Sequence, residues 1–186
     1  MLSKLRTWIP LVVATTVLCG LVYLAVQQDY RQSANDPQIQ VSEDLSRALS
    51  TGEDIAKLVP TETVDLSTSL ATFMIVYDDS GQIVASTAKL DGATPTLPSG
   101  VLDFVKTHGQ ERLTWQPKTG VRSATVVTRF VGKSSGYVLA GRSLREVEKR
   151  EEQLLAQISL AWVAAILATL ATTLVFVPRH KKPHEY

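Results

Sequence analysis

Between Gln153 and Pro178 the chain carries no charged side chain. Residues 157–177 are 21 in number. As a helix they would rise about 31 Å at ~1.5 Å each, the hydrocarbon thickness of a bilayer. A second charge-free run, residues 7–28, lies near the start, with Trp8 and Tyr23 towards its two ends, where amphipathic rings favour a membrane interface. Two transmembrane helices, at 8–26 and 157–177, are therefore expected to bracket everything else. A cleaved signal peptide is the alternative for the first run. Its apolar stretch of roughly 19 residues exceeds the ~7 to 15 of such a segment, and no small-x-small cleavage site follows. Cys19 follows Leu18, where a lipid-modified cysteine usually wants a small residue, and reads as an apolar residue of the span.

Short positive flanks set the expected orientation. Lys4 and Arg6 precede the first run, and Arg179, Lys181 and Lys182 follow the second. Positive flanks stay cytoplasmic, which puts residues 1–7 and the tail 178–186 inside and residues 27–156 outside an inner (cytoplasmic) membrane. The outer stretch holds 14 Lys and Arg against 17 Asp and Glu. A net negative charge argues against a nucleic-acid surface, which needs clustered cations to replace counterions. The single cysteine lies in the first span, so the outer domain is held by its own core and not by disulfides.

Within 27–156 the pattern begins with helix. Asp36 and Pro37 suit a helix start, Val41, Leu45, Ala48 and Leu49 follow at near-helical spacing, and Gly52 ends the run. A further turn is expected over 53–58, before Pro60. Residues 71–77 are apolar at successive positions, which predicts a strand buried on both faces. The Asp78-Asp79-Ser80-Gly81 turn and the run 82–86 complete a hairpin. Residues 89–100 read as a loop, and Ser99 as the cap of a helix over about 100–107 that stops at Gly109. Strands are expected at 111–116, 121–131 and 137–141. The turns between them are too short for crossovers, so the class is α+β, with roughly five antiparallel strands and flanking helices.

Ser143 followed by Glu146 reads as a capping box that starts an exit helix running unbroken into the second span. Its row Leu144, Val147, Glu151, Leu154, Leu155 and Ile158 could pair with a second chain in a homodimer, or equally pack against the helix of the first span. In the second span Ala161, Ala165 and Thr169, with Ala164, Ala168 and Thr172, make two small-residue rows that permit close helix approach.

Two stretches carry a resemblance to a known family. These are Ile75-Val76-Tyr77-Asp78-Asp79-Ser80-Gly81-Gln82-Ile83-Val84-Ala85-Ser86 and Gly136-Tyr137-Val138-Leu139-Ala140-Gly141-Arg142-Ser143-Leu144-Arg145-Glu146-Val147-Glu148. In that order between two spans, and over roughly residues 30–180, they resemble the extracytoplasmic PAS-like sensor domains of the single Cache or PDC type in bacterial sensor histidine kinases and chemoreceptors. The resemblance implies a PAS-like sheet, binding of small anions or metabolites on its inner face, and signal transduction. Kinase relatives continue after the second span into catalytic regions. Here nine residues follow position 177, without a phosphorylatable histidine site or a nucleotide loop, so a signal is expected to pass through a membrane partner.

Candidate chemistry is sparse. His180 and His184 lie in the tail and His108 beside a predicted helix end, so no catalytic constellation forms and an enzyme is not expected. Asp78, Asp79 and Gly81 are like the start of a calcium loop, but its twelfth position is Lys89, so neither a metal site nor a cofactor is expected. Alternation along 121–131 puts Arg122, Ala124, Val126, Thr128 and Phe130 on one face. Arg122 in that apolar company offers a fork of donors for a carboxylate, with Ala124 beside it and Trp115 as a further lining residue. A structural ion pair is the plain alternative for Arg122, and plain core for Trp115. The expected function is a two-span sensor whose outer domain detects a small molecule or envelope signal and relays it through Ser143, Glu146, Val147 and Leu154. A non-sensing membrane-anchored module that regulates a partner by protein contacts is the competing expectation.

Overall fold

The computed structural model describes residues 2–33 and 36–176. The expected tail 178–186 and the last residue of the expected second span lie outside them. The described chain divides into two units, Arg31–Glu148 and a second formed by Met1–Tyr30 with Lys149–Tyr186.

The unit Arg31–Glu148 is α+β. It opens with α2 (Asp36–Thr51), which follows α1 (Leu2–Ser33), and a single turn, α3 (Ile55–Leu58). Helix α2 ends as its sequence predicts. Gly52 takes a positive φ of 89°, its N–H bonds to Leu49 O at 3.0 Å, and Glu53 N reaches Ala48 O at 3.1 Å. Those bonds satisfy carbonyls the helix end leaves open. The strands are β1 (Val64–Asp65), β2 (Phe73–Asp78), β3 (Ile83–Ser86), β4 (Ala88–Lys89), β5 (Gln110–Lys118), β6 (Val121–Val131) and β7 (Ser135–Ser143), with α4 (Val101–His108) before β5. Five of them form an antiparallel sheet in the order β3-β2-β7-β6-β5, and β1 and β4 pair as a separate parallel ribbon. The sequence reading missed the ribbon because two-residue strands carry no periodicity.

Both faces of the sheet are covered. On one, α2 places Leu45 and Leu49 against Val76, Val138 and Phe130. On the other, Val105 of α4, Ala88 of β4 and the loop residues Leu66 and Leu90 pack over Phe73, Ile75, Tyr77, Leu139, Val127 and Trp115. This is why β2 is apolar at consecutive positions: Phe73, Ile75 and Tyr77 serve one core while Met74 and Val76 serve the other. Gly141 in β7 is required by the packing. A Cβ there would lie 2.3 Å from the Phe73 ring and 2.7 Å from Thr125.

Two helix starts differ from the sequence reading. Gly100, at a φ of 87° and without a side-chain hydrogen bond, occupies the N-cap of α4 in place of Ser99. The exit helix α5 (Arg145–Phe176) begins two residues after Ser143, which is the last residue of β7. The Ser143 hydroxyl accepts from Arg145 N at 3.3 Å, not from Glu146. The β6–β7 ladder continues one step past the strand, with Leu144 N bonding to Arg122 O at 2.9 Å. That bond delays the turn into helix.

The other unit is built from α1 and α5, and both helices are long and apolar enough to cross a membrane. They run antiparallel. Trp8 Nε1 bonds to Thr169 Oγ1 at 3.3 Å, Trp162 Nε1 to Thr16 Oγ1 at 2.9 Å, and Lys4 Nζ to Leu174 O at 2.5 Å. Each threonine hydroxyl also donates within its own helix, Thr16 to Val12 O and Thr169 to Ile166 O, which frees a lone pair for the indole. Of the two small-residue rows, Ala165 and Thr169 are half-buried, whereas Ala164, Ala168 and Thr172 are exposed.

Candidate ligand cleft

Arg122 lies outside the lining of the cleft described below. Its guanidinium pairs with the Glu148 carboxylate, and the two side chains stay 47% and 40% exposed. Ala124 is buried on the same face, where α2 covers the sheet. Trp115 is brought onto the opposite face. It stands across from Ser123 in the β5–β6 ladder and packs in the α4 core, its ring 6.2 Å from Phe73. The structure therefore brings Arg122 and Ala124 together and separates Trp115 from them. Among the residues expected to relay a signal, Ser143 closes β7, Glu146 and Val147 lie half-buried in the first turn of α5, and Leu154 lies half-buried further along that helix.

A cleft of about 590 Å³ opens instead on the α4 side of the sheet. Its lining comes from three places: Tyr77 and Tyr137 on the sheet, the β2–β3 turn through Asp79 and Ser80, and the segment 96–106, which includes Ser99, Asp103 and Lys106. Local chemistry holds each wall. Asp78 Oδ1 accepts from Ser80 Oγ at 2.6 Å and from the backbone N–H groups of Ser80 and Gln82 at 2.9 Å each. These bonds, the Ser80 hydroxyl first, hold the Asp78 carboxyl below its ordinary value of 3.8. Gly81 completes the turn at a φ of 82°, a conformation glycine adopts without a steric penalty. On the opposite wall Val105, fully buried, fixes α4 to the sheet.

The sheet side of the cleft is polar where it is most buried. Tyr77 is only 3% exposed, and its hydroxyl has no hydrogen-bond partner among the described residues. Burial pushes its ionisation well above the ordinary range, so the phenol stays neutral and can donate. Strand register sets Arg129, Tyr137 and Tyr77 side by side on β6, β7 and β2. Arg129 holds both walls. Its Nη1 donates to Lys106 O at 2.8 Å, and its Nη2 lies 3.5 Å from Asp79 Oδ1.

The sequence reading passed over Arg129, Tyr77 and Tyr137. It weighed the face of β6 that carries Arg122, on the strength of apolar neighbours, although that residue stands second in its strand, beside the exit helix. The available signal was the other half of the same alternation, which sets Arg129 with Val127 and Thr125. No protein-family model matches the chain, and no curated protein or solved structure matches it.

Proposed function

We propose that this protein is a two-span membrane sensor. Its outer domain is PAS-like, of the single Cache kind, and binds a small molecule in the cleft between Tyr77, Tyr137 and α4. It is not an enzyme. The domain lies outside the cytoplasmic membrane with both chain ends inside, and occupancy is conveyed through α5 to a partner in the membrane. One observation carries this reading. Tyr137 lines the cleft and belongs to β7, and β7 passes into α5 through Leu144 alone. A ligand shifts an equilibrium only by binding one arrangement better than another, and a strand that touches the ligand and leads into a spanning helix is where such a difference can act.

The test is native mass spectrometry of small molecules retained by the full chain purified from membranes, for the wild type and for Ser80→Trp, which fills the cleft. The expected result is a compound held by the wild type and lost from the variant. Identical complements would remove the cleft from the account and favour the competing reading, a module that works by protein contacts alone. A Gln153→Pro chain should retain the compound but lose its signal, because proline breaks the α5 rod.

A further inference from the structure

Arg142 is the last residue but one of β7, and Arg145 is the first of α5. A cation is the wrong sign for a helix start, where free N–H groups favour anions. Neither guanidinium has a carboxylate partner among the described residues; both donate to backbone carbonyls of one loop. Arg142 Nε reaches Leu70 O at 3.0 Å, and Arg145 reaches Thr68 O at 3.0 Å through Nη2 and Ser67 O at 3.4 Å through Nη1. The loop is shaped to present those oxygens. Asp65 O accepts from Ser69 N at 2.8 Å and from Thr68 N at 3.3 Å, and Asp65 Oδ1 accepts from Ser67 N at 2.8 Å and Ser67 Oγ at 2.6 Å. Carbonyls at the far end of such a helical turn lack N–H partners, and cations are favoured there. The loop is also anchored. Leu66, 3% exposed, packs in the same core as Tyr77 and Tyr137, which line the cleft, and its N–H bonds to Lys89 O at 2.9 Å.

We infer that Arg142 and Arg145 form a clasp coupling the 66–70 loop to the first turn of α5. Through it the core that floors the cleft has a second hold on the exit helix besides β7. With the clasp closed, the Arg145 charge faces the loop carbonyls. With it open, that charge returns to the N-terminus of α5, so the helix start loosens when the loop does. Both arginines are positioning residues. What drives the clasp, the state of the cleft, rests on the function proposed above.

The experiment is hydrogen exchange of the full chain in lipid nanodiscs. Arg145→Glu suits the helix start better by charge, so a purely local role for Arg145 leaves the loop as it is. The clasp instead predicts roughly fivefold faster exchange at the Leu66 and Ser69 amides in that variant. Coupling is reciprocal, so Asp65→Ala, which breaks the turn, should speed exchange at the Glu148 amide in α5. In an Arg142→Gln, Arg145→Glu background the same Asp65→Ala change should leave Glu148 unaffected, because nothing then joins loop to helix. Unchanged Leu66 and Ser69 in Arg145→Glu, or an equal effect of Asp65→Ala on Glu148 in both backgrounds, would overturn the clasp. Ser80→Trp altering the same loop amides would tie the clasp to the cleft. Clasp variants behaving as expected while Ser80→Trp changes neither loop nor helix would keep the clasp and remove the relay from the cleft.

Discussion

Trp162 donates its indole N–H to Thr16 across the two apolar helices, and Trp8 returns the same bond to Thr169. Each helix therefore supplies one donor and one acceptor, and each threonine is already satisfied as a donor by its own backbone. Such a pair fixes register as well as proximity, because sliding one helix by a turn would break both bonds. Bonds of this kind between spans are worth about 0.6 kcal/mol on average and up to ~1.7. The double variant Trp8→Phe, Trp162→Phe should weaken association of α1 with α5 by roughly 1 to 3 kcal/mol, read by reversible unfolding in bilayers. An unchanged value would mean the bonds do not hold the pair.

Asp78 supplies a pH dependence with a definite sign. Its folded-state pKa lies below the ordinary 3.8, through the Ser80 hydroxyl first and the N–H of Gln82 next. A depressed carboxyl contributes stability that is fully present above its unfolded value and is lost as pH falls through the folded value. The β2–β3 turn should therefore hold unchanged from neutral pH down to about pH 4 and loosen below it. Carboxyl titration by NMR should place Asp78 below the unfolded value. A midpoint at or above that value would contradict the bonding described.

Two substitutions on neighbouring strands should differ sharply in cost. Gly141→Ala puts a Cβ 2.3 Å from the Phe73 ring and should lower stability by about 1 to 3 kcal/mol through overpacking. Arg122→Ala removes an ion pair whose partners are 47% and 40% exposed, and should cost less than about 1 kcal/mol after solvent screening. The same variant should leave any ligand response untouched, since Arg122 does not line the cleft. Denaturant midpoints of the full chain in one detergent compare the two directly.

The proposed topology makes a labelling prediction. In a Cys19→Ala background, Thr119→Cys, exposed between β5 and β6, should react with a membrane-impermeant maleimide in spheroplasts. Lys4→Cys should react only after lysis. The reverse pattern would place the domain on the wrong side, and labelling of both would contradict the cytoplasmic N-terminus.

Most of the scaffold was legible because its determinants are local. Charge-free runs mark the two helices long and apolar enough to span a membrane, Gly52 and Gly109 mark helix ends, and the short turns within 71–86 and within 111–141 dictate antiparallel pairs. The cap at Gly100 was not legible. Ser99 is the better capping residue by type, and the positive φ of Gly100 is set by how the 89–100 loop meets α4. The cleft lay further out of reach, because Tyr77 and Tyr137, which line it, are 60 residues apart in the chain and joined only by strand register. Alternation shows that Arg122 and Arg129 face opposite ways. It does not show which face α2 closes, and that is decided by Leu45 and Leu49 packing on Phe130 and Val138.

The central claim is that the state of the cleft is felt at the junction between β7 and α5. Hydrogen exchange of the full chain in nanodiscs tests it without knowledge of the ligand, by comparing wild type with Ser80→Trp across residues 137–151. The account predicts altered protection at the backbone amides of Leu144 and Glu148, which bond to Arg122 O and Leu144 O, with α2 unchanged. Equal exchange at that junction in both proteins, with the tryptophan seated in the cleft, would contradict it.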